Sequence, residues 1–378
     1  MAAVDNVVIV GGGIGGLTLA VALRQAGIAA RIIEKGDRST RLGTGISLLG
    51  NALRALETIG LADTCIEAGL GYDRVITRDA TGAFVNDMRP PRTFRPDRPG
   101  AFGIMRPKLA ETLETAAVAA GATIDFATTV GELTQHEDRI DLVLSTGEQL
   151  SADLVVAADG AYSATRARIF GDAYVPAYCG QGGIRLTADR PADMDGLTFY
   201  RAADGAAVGA IPLSDTHCYY FVLENGTRHG HLDPARIAEI WKERMAPFTA
   251  PNLVASAATV GAHSPISYRP FDVLMVPRPW HKGRVVLIGD AAHSLSPQLT
   301  SGGGMAIEDA VVLAETLRDG HDAATALHIF ENRREPRVRS ILETSLAICK
   351  IEQNPTREGH QKSMELLGKG YQLLADAF

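Results

Sequence analysis

Three glycines near the amino terminus have a spacing that suits nucleotide binding. Gly11, Gly13 and Gly16 form a G-x-G-x-x-G sequence between an apolar run typical of a buried strand and a pattern typical of a helix. In such a unit the first glycine permits a tight turn, the second lets a pyrophosphate approach the backbone, and the third lets the helix pack closely on the strand. The phosphate charge then lies against free N–H groups and the positive end of the helix dipole. We predict that this turn, with Ile14 and Gly15, binds a dinucleotide.

An acidic residue ends the second predicted strand. Arg31 to Ile33 forms this strand, and Glu34 follows it in position to accept hydrogen bonds from both ribose hydroxyls of an adenosine, with Lys35 beside it. A glycine-rich turn without a ligand is the alternative, and the strand, helix and acidic residue in this order argue against it. The turn alone does not separate NAD from FAD.

A second motif follows another buried strand. The strand Leu154 to Ala157 leads into Asp159 and Gly160, and Ser163 and Arg166 come shortly after. This arrangement presents Asp159 at the end of a sheet, where the polar residues that follow could orient a second phosphate-bearing ligand. An ordinary Asp-Gly turn after a strand is the alternative interpretation.

A third motif combines a carboxylate with a run of glycines. The strand Val285 to Ile288 delivers Gly289 and Asp290 to the carboxyl edge of the sheet, where the carboxylate can bind ribityl hydroxyls. The glycine run 302–304 then opens the predicted helix Ala306 to Leu317. The helix dipole and free N–H groups there favour negative charge, such as that of a reduced flavin at its N1–C2=O edge. A flexible loop is the alternative for the glycine run.

The composition limits the class of protein. The chain has 378 residues, 46% hydrophobic and 21% charged, with a net charge of −7, which argues against nucleic acid as a partner. Four cysteines lie far apart without C-x-x-C or metal-ligand spacing, which favours a reducing compartment and no metal. The amino terminus lacks the features of a secretory signal, and no apolar run is long enough to span a membrane. We therefore expect a cytoplasmic protein without a membrane partner.

Strand and helix patterns alternate at the start of the chain and return after residue 284, whereas the middle reads mostly as strands. The first strand, helix and second strand form one βαβ unit with a parallel pair. Four prolines between residues 90 and 99 exclude a long central helix or strand there. We predict an α/β nucleotide-binding domain from residues 1–72, 100–176 and 277–345, an inserted β-rich substrate domain from residues 73–99 and 177–276, and a helical tail at 346–378.

The three motifs, in this order and spacing, resemble the single-component FAD-dependent aromatic hydroxylases, which are group A flavoprotein monooxygenases and the family of para-hydroxybenzoate hydroxylase. The resemblance covers nearly the whole chain and is weakest in the inserted β-rich part. It implies a glutathione-reductase-like FAD-binding Rossmann domain, with the inserted domain and the helical tail.

The resemblance also assigns residues to FAD. The amino-terminal glycines and Glu34 would hold the ADP half, and Asp290 the ribityl chain. The further positions that it assigns to the cofactor are Arg41, Gly45, Ile46, Arg106, Val130, Asp159, Gly160, Gly289, Pro297, Gly302, Gly303, Gly304 and Met305.

Two residues of the glycine-rich loop depart from the family pattern. Many relatives carry Gln in place of Ser301 and Asn in place of Met305. We expect Met305 still to offer its backbone N–H to the flavin ring.

The family chemistry is a two-stage cycle. NADH or NADPH reduces FAD, and O2 then forms a C4a-hydroperoxide that transfers oxygen to an electron-rich aromatic ring. Such a transfer needs a dry pocket, which the inserted domain would supply. The chain has no second dinucleotide turn, so the nicotinamide cofactor would dock transiently.

The candidates for catalysis lie in the inserted domain. On a strand from His217 to Leu223, Tyr219 shares one face with His217, Tyr220 lies on the other, and either face could line the cavity. Arg185 matches an arginine on the strand that reaches the flavin in relatives. For the tyrosines, cross-strand packing is the alternative.

We therefore expect an FAD-dependent monooxygenase, monomeric or homodimeric, that hydroxylates a small aromatic or heteroaromatic substrate. A flavin-dependent reductase or dehydrogenase of the same fold is the first alternative, and a non-catalytic flavin-binding protein is the second. A flavin halogenase is disfavoured because the chain lacks a W-x-W-x-I-P segment. Without FAD, an NAD-binding Rossmann module would become the best interpretation.

Overall fold

The computed structural model describes residues 4–38, 43–203, 205–226, 228–230, 232–354 and 356–378. Its strands are β1 (Asn6–Val10), β2 (Ala29–Ile33), β3 (Gly45–Leu49), β4 (Leu70–Tyr72), β5 (Val75–Asp79), β6 (Phe84–Met88), β7 (Ala101–Met105), β8 (Thr123–Asp125), β9 (Val130–Gln135), β10 (Ile140–Leu144), β11 (Gln149–Ala152), β12 (Leu154–Ala157), β13 (Ala177–Asp189), β14 (Leu197–Arg201), β15 (Ala207–Pro212), β16 (His217–Asn225), β17 (Ile266–Met275), β18 (His281–Lys282), β19 (Val285–Leu287) and β20 (His293–Ser294). Its helices are α1 (Ile14–Gln25), α2 (Gly50–Thr58), α3 (Ala62–Glu67), α4 (Arg106–Ala119), α5 (Ala164–Phe170), α6 (Pro234–Met245), α7 (Pro251–Thr259), α8 (Gly302–Arg318), α9 (Ala323–Gln353) and α10 (Arg357–Ala375). The fold is a mixture of sheets and helices, as the sequence predicts.

The first large sheet contains the strands that precede the three motifs, which are β1, β12 and β19. Its order is β18-β19-β12-β1-β2-β8, and every neighbouring pair is parallel except β18 with β19. The buried residues of β1 and β12 form continuous apolar runs, which are typical of parallel strands covered on both faces. Because parallel strands end at the same edge, the turns after β1, β2, β12 and β19 lie together.

The second large sheet is mostly antiparallel. Its order is β20-β17-β13-β16-β15-β14-β5-β6, in which β14 pairs with β5 in parallel. One face packs against α6 and α7 in a separate hydrophobic core, which contains Ile184, Tyr220 and the fully buried Trp241. Two smaller sheets, β3-β7-β4 and β9-β10-β11, complete the strands.

The carboxyl-terminal helices differ from the predicted tail in one respect. The predicted boundary at residue 346 falls inside α9, which runs without interruption from Ala323 to Gln353. The predicted boundary therefore does not coincide with the end of a helix. Within the described residues, every helix is too short or too polar to cross a lipid bilayer.

Candidate active site

A cleft of about 1580 Å³ extends from the carboxyl edge of the first sheet to one face of the second. Sites for one small ligand usually have about 300–1000 Å³, so this cleft has room for a dinucleotide and a second molecule. Its lining comes from all three predicted motifs and from both large sheets.

The three glycines of the first turn have three different surroundings. Gly11 has φ +112°, and a Cβ there would lie 2.4 Å from the Ala158 carbonyl oxygen. A Cβ on Gly16 would lie 2.0 Å from the carbonyl oxygen of Gly11, so only glycine allows α1 to pack this closely. Gly13 lines the cleft, and a Cβ there would meet nothing within 4 Å. Gly11 therefore permits the tight turn, Gly13 leaves room for a ligand, and Gly16 allows the close packing of the helix, as the sequence predicts.

The amino terminus of α1 points its free groups into the cleft. Ile14 and Gly15 line the cleft, and no described side chain caps the first turn of the helix. The first N–H groups of a helix have no partner within it, so they are available to an anion. This end of α1 fits a pyrophosphate.

Glu34 lines the cleft directly after β2. The Gly12 N–H donates to its Oε2 at 2.6 Å, and the Gly36 N–H donates to its Oε1 at 2.6 Å. An ionised carboxylate has about four lone-pair positions, so each oxygen can accept one more hydrogen bond. The two backbone contacts orient the carboxylate and leave it able to accept from ribose hydroxyls.

Asp290 lies in the turn after β19. Its side chain is exposed, but only to the cleft that it lines, and protein surrounds it on the other sides. The low-polarity surroundings raise the pKa of this carboxyl group, which His293 and Arg106 partly oppose. The Asp290 carboxylate makes no hydrogen bond to a described residue. A hydroxyl-rich chain such as ribityl would supply the missing donors.

Arg106 begins α4 and also lines the cleft, beside the strand that contains Gly45 and Ile46. Its guanidinium makes no ion pair within the described part of the chain. The predicted Pro297 and Gly289 line the same cleft. These positions suit a phosphate or ribityl group.

The glycine run forms the first turn of α8. Gly302 faces open space, whereas a Cβ on Gly303 would lie 2.9 Å from the Ile46 side chain and one on Gly304 would lie 2.9 Å from Asn51 Nδ2. Gly302 and Gly303 line the cleft. Gly304 instead allows α8 to pack closely on α2.

The expected role of Met305 is wrong. Its backbone N–H donates to the Ser301 carbonyl oxygen at 2.8 Å, because Ser301 is the residue that caps α8. Its side chain is fully buried, with the sulfur 3.6 Å from the guanidinium of Arg334. The N–H groups that remain free at this helix end belong to the three glycines.

A buried charge network supports these turns from behind. Asp309 accepts hydrogen bonds from the Gly289 N–H at 2.9 Å, His293 Nε2 at 2.6 Å and Arg334 Nε at 2.8 Å. Burial opposes ionisation of Asp309, but His293 and Arg334 outweigh it and lower its pKa to about 2. His293 is buried and bonded to Asp309, so its role is structural.

Of the two residues of the Asp-Gly motif, only one lines the cleft. Gly160 lines the cleft with φ +83°, whereas Asp159 accepts a hydrogen bond from the Thr165 N–H at 3.0 Å and lies behind the lining. Ser163 caps α5, and the buried Arg166 donates to three backbone carbonyl oxygens. Ser163 and Arg166 therefore stabilise the fold and do not orient a phosphate-bearing ligand.

Three predicted cofactor positions remain. Val130 begins β9 and does not line the cleft; in this part of the chain, Phe126 does. Lys35 is exposed and does not line the cleft, whereas its neighbours Glu34 and Gly36 do. Arg41 lies outside the described residues.

An aromatic wall forms the cleft-facing side of the second sheet. Phe221 pairs with Gly209 on β15, and a Cβ on Gly209 would lie 2.0 Å from the ring of Phe221. The Phe221 ring centroid is 6.0 Å from that of Phe199 and 5.9 Å from that of Tyr219. Phe271 lies in the same way over another glycine. Glycines in the sheet thus make room for flat rings that cover it.

Arg185 and Tyr219 lie where the aromatic wall approaches the cofactor turns. The Arg185 guanidinium carbon is 5.8 Å from the centroid of Phe271, and it makes no ion pair with any described residue. Burial lowers the pKa of Arg185, which the neighbouring Tyr219 opposes. Burial raises the pKa of the Tyr219 hydroxyl, against the charges of Arg185 and Arg106. The site therefore offers a cation and a neutral phenol to a ligand.

Two predicted catalytic residues do not reach the cleft. Tyr220 faces the opposite side of the sheet, where it packs on Trp241 at 6.4 Å and accepts a hydrogen bond from Asn252 at 3.1 Å. His217 shares the face of Tyr219 but lies two residues, about 7 Å, beyond it at the strand end. There it is exposed and bonds to the Thr216 hydroxyl at 2.7 Å. A catalytic role for Tyr220 and His217 is therefore wrong.

The carboxyl-terminal helices supply a wall that the sequence analysis missed. The residues of α9 and α10 that line the cleft are mostly apolar: Ile348, Ile351, Glu352, Ser363, Met364, Leu367 and Tyr371. Their three- and four-residue spacing indicates an apolar helix face, but not what that face covers.

The chain matches the family model of an FAD binding domain over residues 5–345. YetM of Bacillus subtilis (strain 168) is 30% identical over 377 residues, covering 99% of this chain and 100% of the relative. The 3-hydroxybenzoate 6-hydroxylase of Klebsiella oxytoca is 28% identical over 367 residues, covering 90% of this chain and 87% of the relative. The crystal structure of HpxO of Klebsiella pneumoniae, complexed with FAD and uric acid, has a TM-score of 0.84 at 24% identity and covers 98% of this chain and 96% of that chain.

The fold and the cleft define a flavoprotein oxidoreductase. The chain belongs to the family of single-component FAD-dependent aromatic hydroxylases. FAD is its cofactor, and the open approach at Gly13 and the unpartnered carboxylate of Asp290 fit that group.

Proposed function

We propose that this protein hydroxylates a small aromatic or heteroaromatic compound with O2 at the expense of NADH or NADPH. The observation that carries the proposal is the continuity of the cleft, in which the dinucleotide turns and the aromatic wall share one space. The positive charge of Arg106 acts on both Asp290, at the cofactor turns, and Tyr219, beside the aromatic wall. Arg106 therefore couples the two parts of the cleft electrostatically.

The architecture supports separate domains for the cofactor and the substrate. We assign the first sheet and its helices to a glutathione-reductase-like nucleotide-binding domain, made of residues 1–72, 100–176 and 277–345. We assign residues 73–99 and 177–276 to the substrate domain, which contains every strand of the second sheet except β20. A separate hydrophobic core between this sheet and helices α6 and α7 supports the division.

FAD, when bound, supplies the hydride and oxygen chemistry. The protein holds it through the α1 turn, Glu34 and Asp290. The N–H groups of Gly302 and Gly303 favour negative charge on the ligand at the start of α8.

The aromatic wall and the residues beside it position the substrate. We call the part of the cleft beside the aromatic wall the substrate chamber. The wall excludes water from this chamber and packs against a planar ring through Phe199, Phe221 and Phe271. The Tyr219 hydroxyl hydrogen-bonds a phenolic or ring-nitrogen group, and the Arg185 guanidinium stabilises the negative charge that develops when that group loses its proton. Deprotonation makes the ring more electron-rich and therefore more reactive.

The 3-hydroxybenzoate 6-hydroxylase and the HpxO complex with uric acid support aromatic carboxylates and purines as starting compounds for a screen. The purified holoenzyme is assayed for NADH and NADPH oxidation with phenols, hydroxypyridines and purines, and products are examined by mass spectrometry. We expect at least one compound to stimulate oxidation and to gain one oxygen atom. Oxidation that yields only hydrogen peroxide with every compound would contradict the proposal, and anaerobic turnover without oxygen incorporation would indicate a reductase.

A further inference from the structure

Two of the four cysteines lie next to each other at the edge of the cleft. The sulfurs of Cys179 on β13 and Cys349 on α9 are 3.7 Å apart, although the residues are 170 positions apart in the chain. On α9, Ile348 directly before Cys349 and Ile351 two residues after it both line the cleft. The two thiols thus join the second sheet to the helix that closes the substrate chamber.

An irregularity in β13 brings Cys179 to this place. The register with β17 shifts between Tyr178 and Gly182, so Cys179 lies in a bulge outside the regular ladder. Gly180 has φ +91°, and a Cβ there would lie 2.4 Å from the side chain of Gln353. The bulge and this glycine allow the strand to approach α9 closely enough for the thiols to meet.

The two thiols differ in access and in acidity. Cys179 is half-buried, and a hydrogen bond from the Cys349 thiol lowers its pKa. Cys349 is fully buried and accepts a hydrogen bond from Gln353 Nε2 at 3.3 Å. The other two cysteines, Cys65 and Cys218, are buried, and burial raises the pKa of each to about 12. Thiolate character and access therefore coincide only at Cys179.

We propose that Cys179 and Cys349 form a peroxide-sensitive dithiol, which closes to a disulfide and locks the helical wall of the chamber to the second sheet. The Cys179 thiolate attacks hydrogen peroxide and becomes a sulfenic acid, releasing water after proton uptake. The Cys349 sulfur then attacks the sulfenic sulfur, and a second water leaves. Two thiols and one peroxide give one disulfide and two waters.

The source of the peroxide connects this device to the cleft. If the proposed function holds, a turnover that fails to transfer oxygen to substrate releases hydrogen peroxide into the cleft, which Gln181, two residues after Cys179, lines. The dithiol itself does not rest on that function, because peroxide from any source gives the same product. Added peroxide therefore tests the dithiol separately from the hydroxylation.

The experiment treats the reduced holoenzyme with one equivalent of hydrogen peroxide. After denaturation we expect the free thiols to fall from four to two, and peptide mapping to join Cys179 to Cys349, with reversal by dithiothreitol. The cross-link closes a long loop, so the Tm rises by about 5 °C.

Variants separate the pair from the remaining thiols. Cys179→Ser abolishes both the cross-link and the Tm rise, whereas Cys349→Ser leaves a sulfenic acid on Cys179 that dimedone traps. The double variant Cys65→Ser/Cys218→Ser keeps the full response and serves as the matched control. Four free thiols after treatment of the wild type, or oxidation of Cys179 without a cross-link to Cys349, would overturn the proposal.

Discussion

Arg334 provides a direct test of the buried network behind the cofactor turns. Its side chain is fully buried, with Nη1 2.5 Å from Glu308 Oε2 and Nε 2.8 Å from Asp309 Oδ1. Replacement by methionine keeps much of the volume but removes the charge that both carboxylates share. Each carboxylate keeps one further side-chain partner, Arg337 for Glu308 and His293 for Asp309.

Removal of one partner from a buried ion pair costs about 3–5 kcal/mol. We expect Arg334→Met to lie within that range, because two buried carboxylates lose a partner at once. With an unfolding entropy of about 2.1 cal/mol/K per residue, this corresponds to a fall in Tm of about 4–6 °C for 378 residues.

The neighbouring residue is a matched control. Arg333 is 37% exposed and pairs with Glu315 at 3.0 Å on the surface. Arg333→Met should therefore change the free energy of unfolding by less than about 1 kcal/mol. Urea and thermal unfolding of both holoenzymes give the comparison.

The network also predicts a second readout. Asp309 holds the Gly289 N–H, and Arg334 contacts the Met305 carbonyl oxygen at 3.4 Å, so both act on turns that border the cleft. We expect Arg334→Met to raise the Kd for FAD, and Arg333→Met to leave it unchanged. Equal stability and equal FAD affinity of the two variants would refute this reasoning.

Three further predictions concern the site. Gly13→Ala should change the stability of the apoprotein by no more than about 0.5 kcal/mol but raise the Kd for FAD about 10-fold or more. Gly16→Ala should fail to fold, because its methyl group would lie 2.0 Å from a backbone oxygen. FAD titration and circular dichroism distinguish these outcomes. Tyr219→Phe should lower kcat/KM of aromatic-dependent NAD(P)H oxidation about 10-fold or more. Tyr220→Phe should cost about 1 kcal/mol of stability with little change in kcat/KM, and the reverse order would contradict the assigned faces. Asp309, with a pKa of about 2 against the usual 3.8, stabilises the folded state by about 2 kcal/mol above pH 4, and this is lost as the pH falls towards 2. The urea midpoint of the wild type should therefore fall more steeply there than that of Asp309→Asn.

Local patterns sufficed for the elements that hold the cofactor. The predicted strand Leu154 to Ala157 has the bounds seen in the structure, and a helix follows the glycines of the first turn as the sequence predicts. The different surroundings of Gly11 and Gly13 also agree with the sequence. These features depend on residues close in the chain, on strand or helix periodicity and on the few conformations that a turn allows.

Long-range packing decided which side chains meet the substrate. Alternation along β16 places Tyr219 and Tyr220 on opposite faces, but only the helices that cover one face show that Tyr219 looks into the cleft. In the same way, the sequence indicates an apolar face around Ile348 without showing that it closes a chamber.

The sequence also did not predict which distant groups the buried polar side chains bond to. Arg166 resembles a ligand-binding residue until its three carbonyl partners are known, one of which is 125 positions away. Periodicity specifies which residues share a face and which turn needs a glycine. It does not specify what distant segment lies against that face, because that depends on how all the elements pack together.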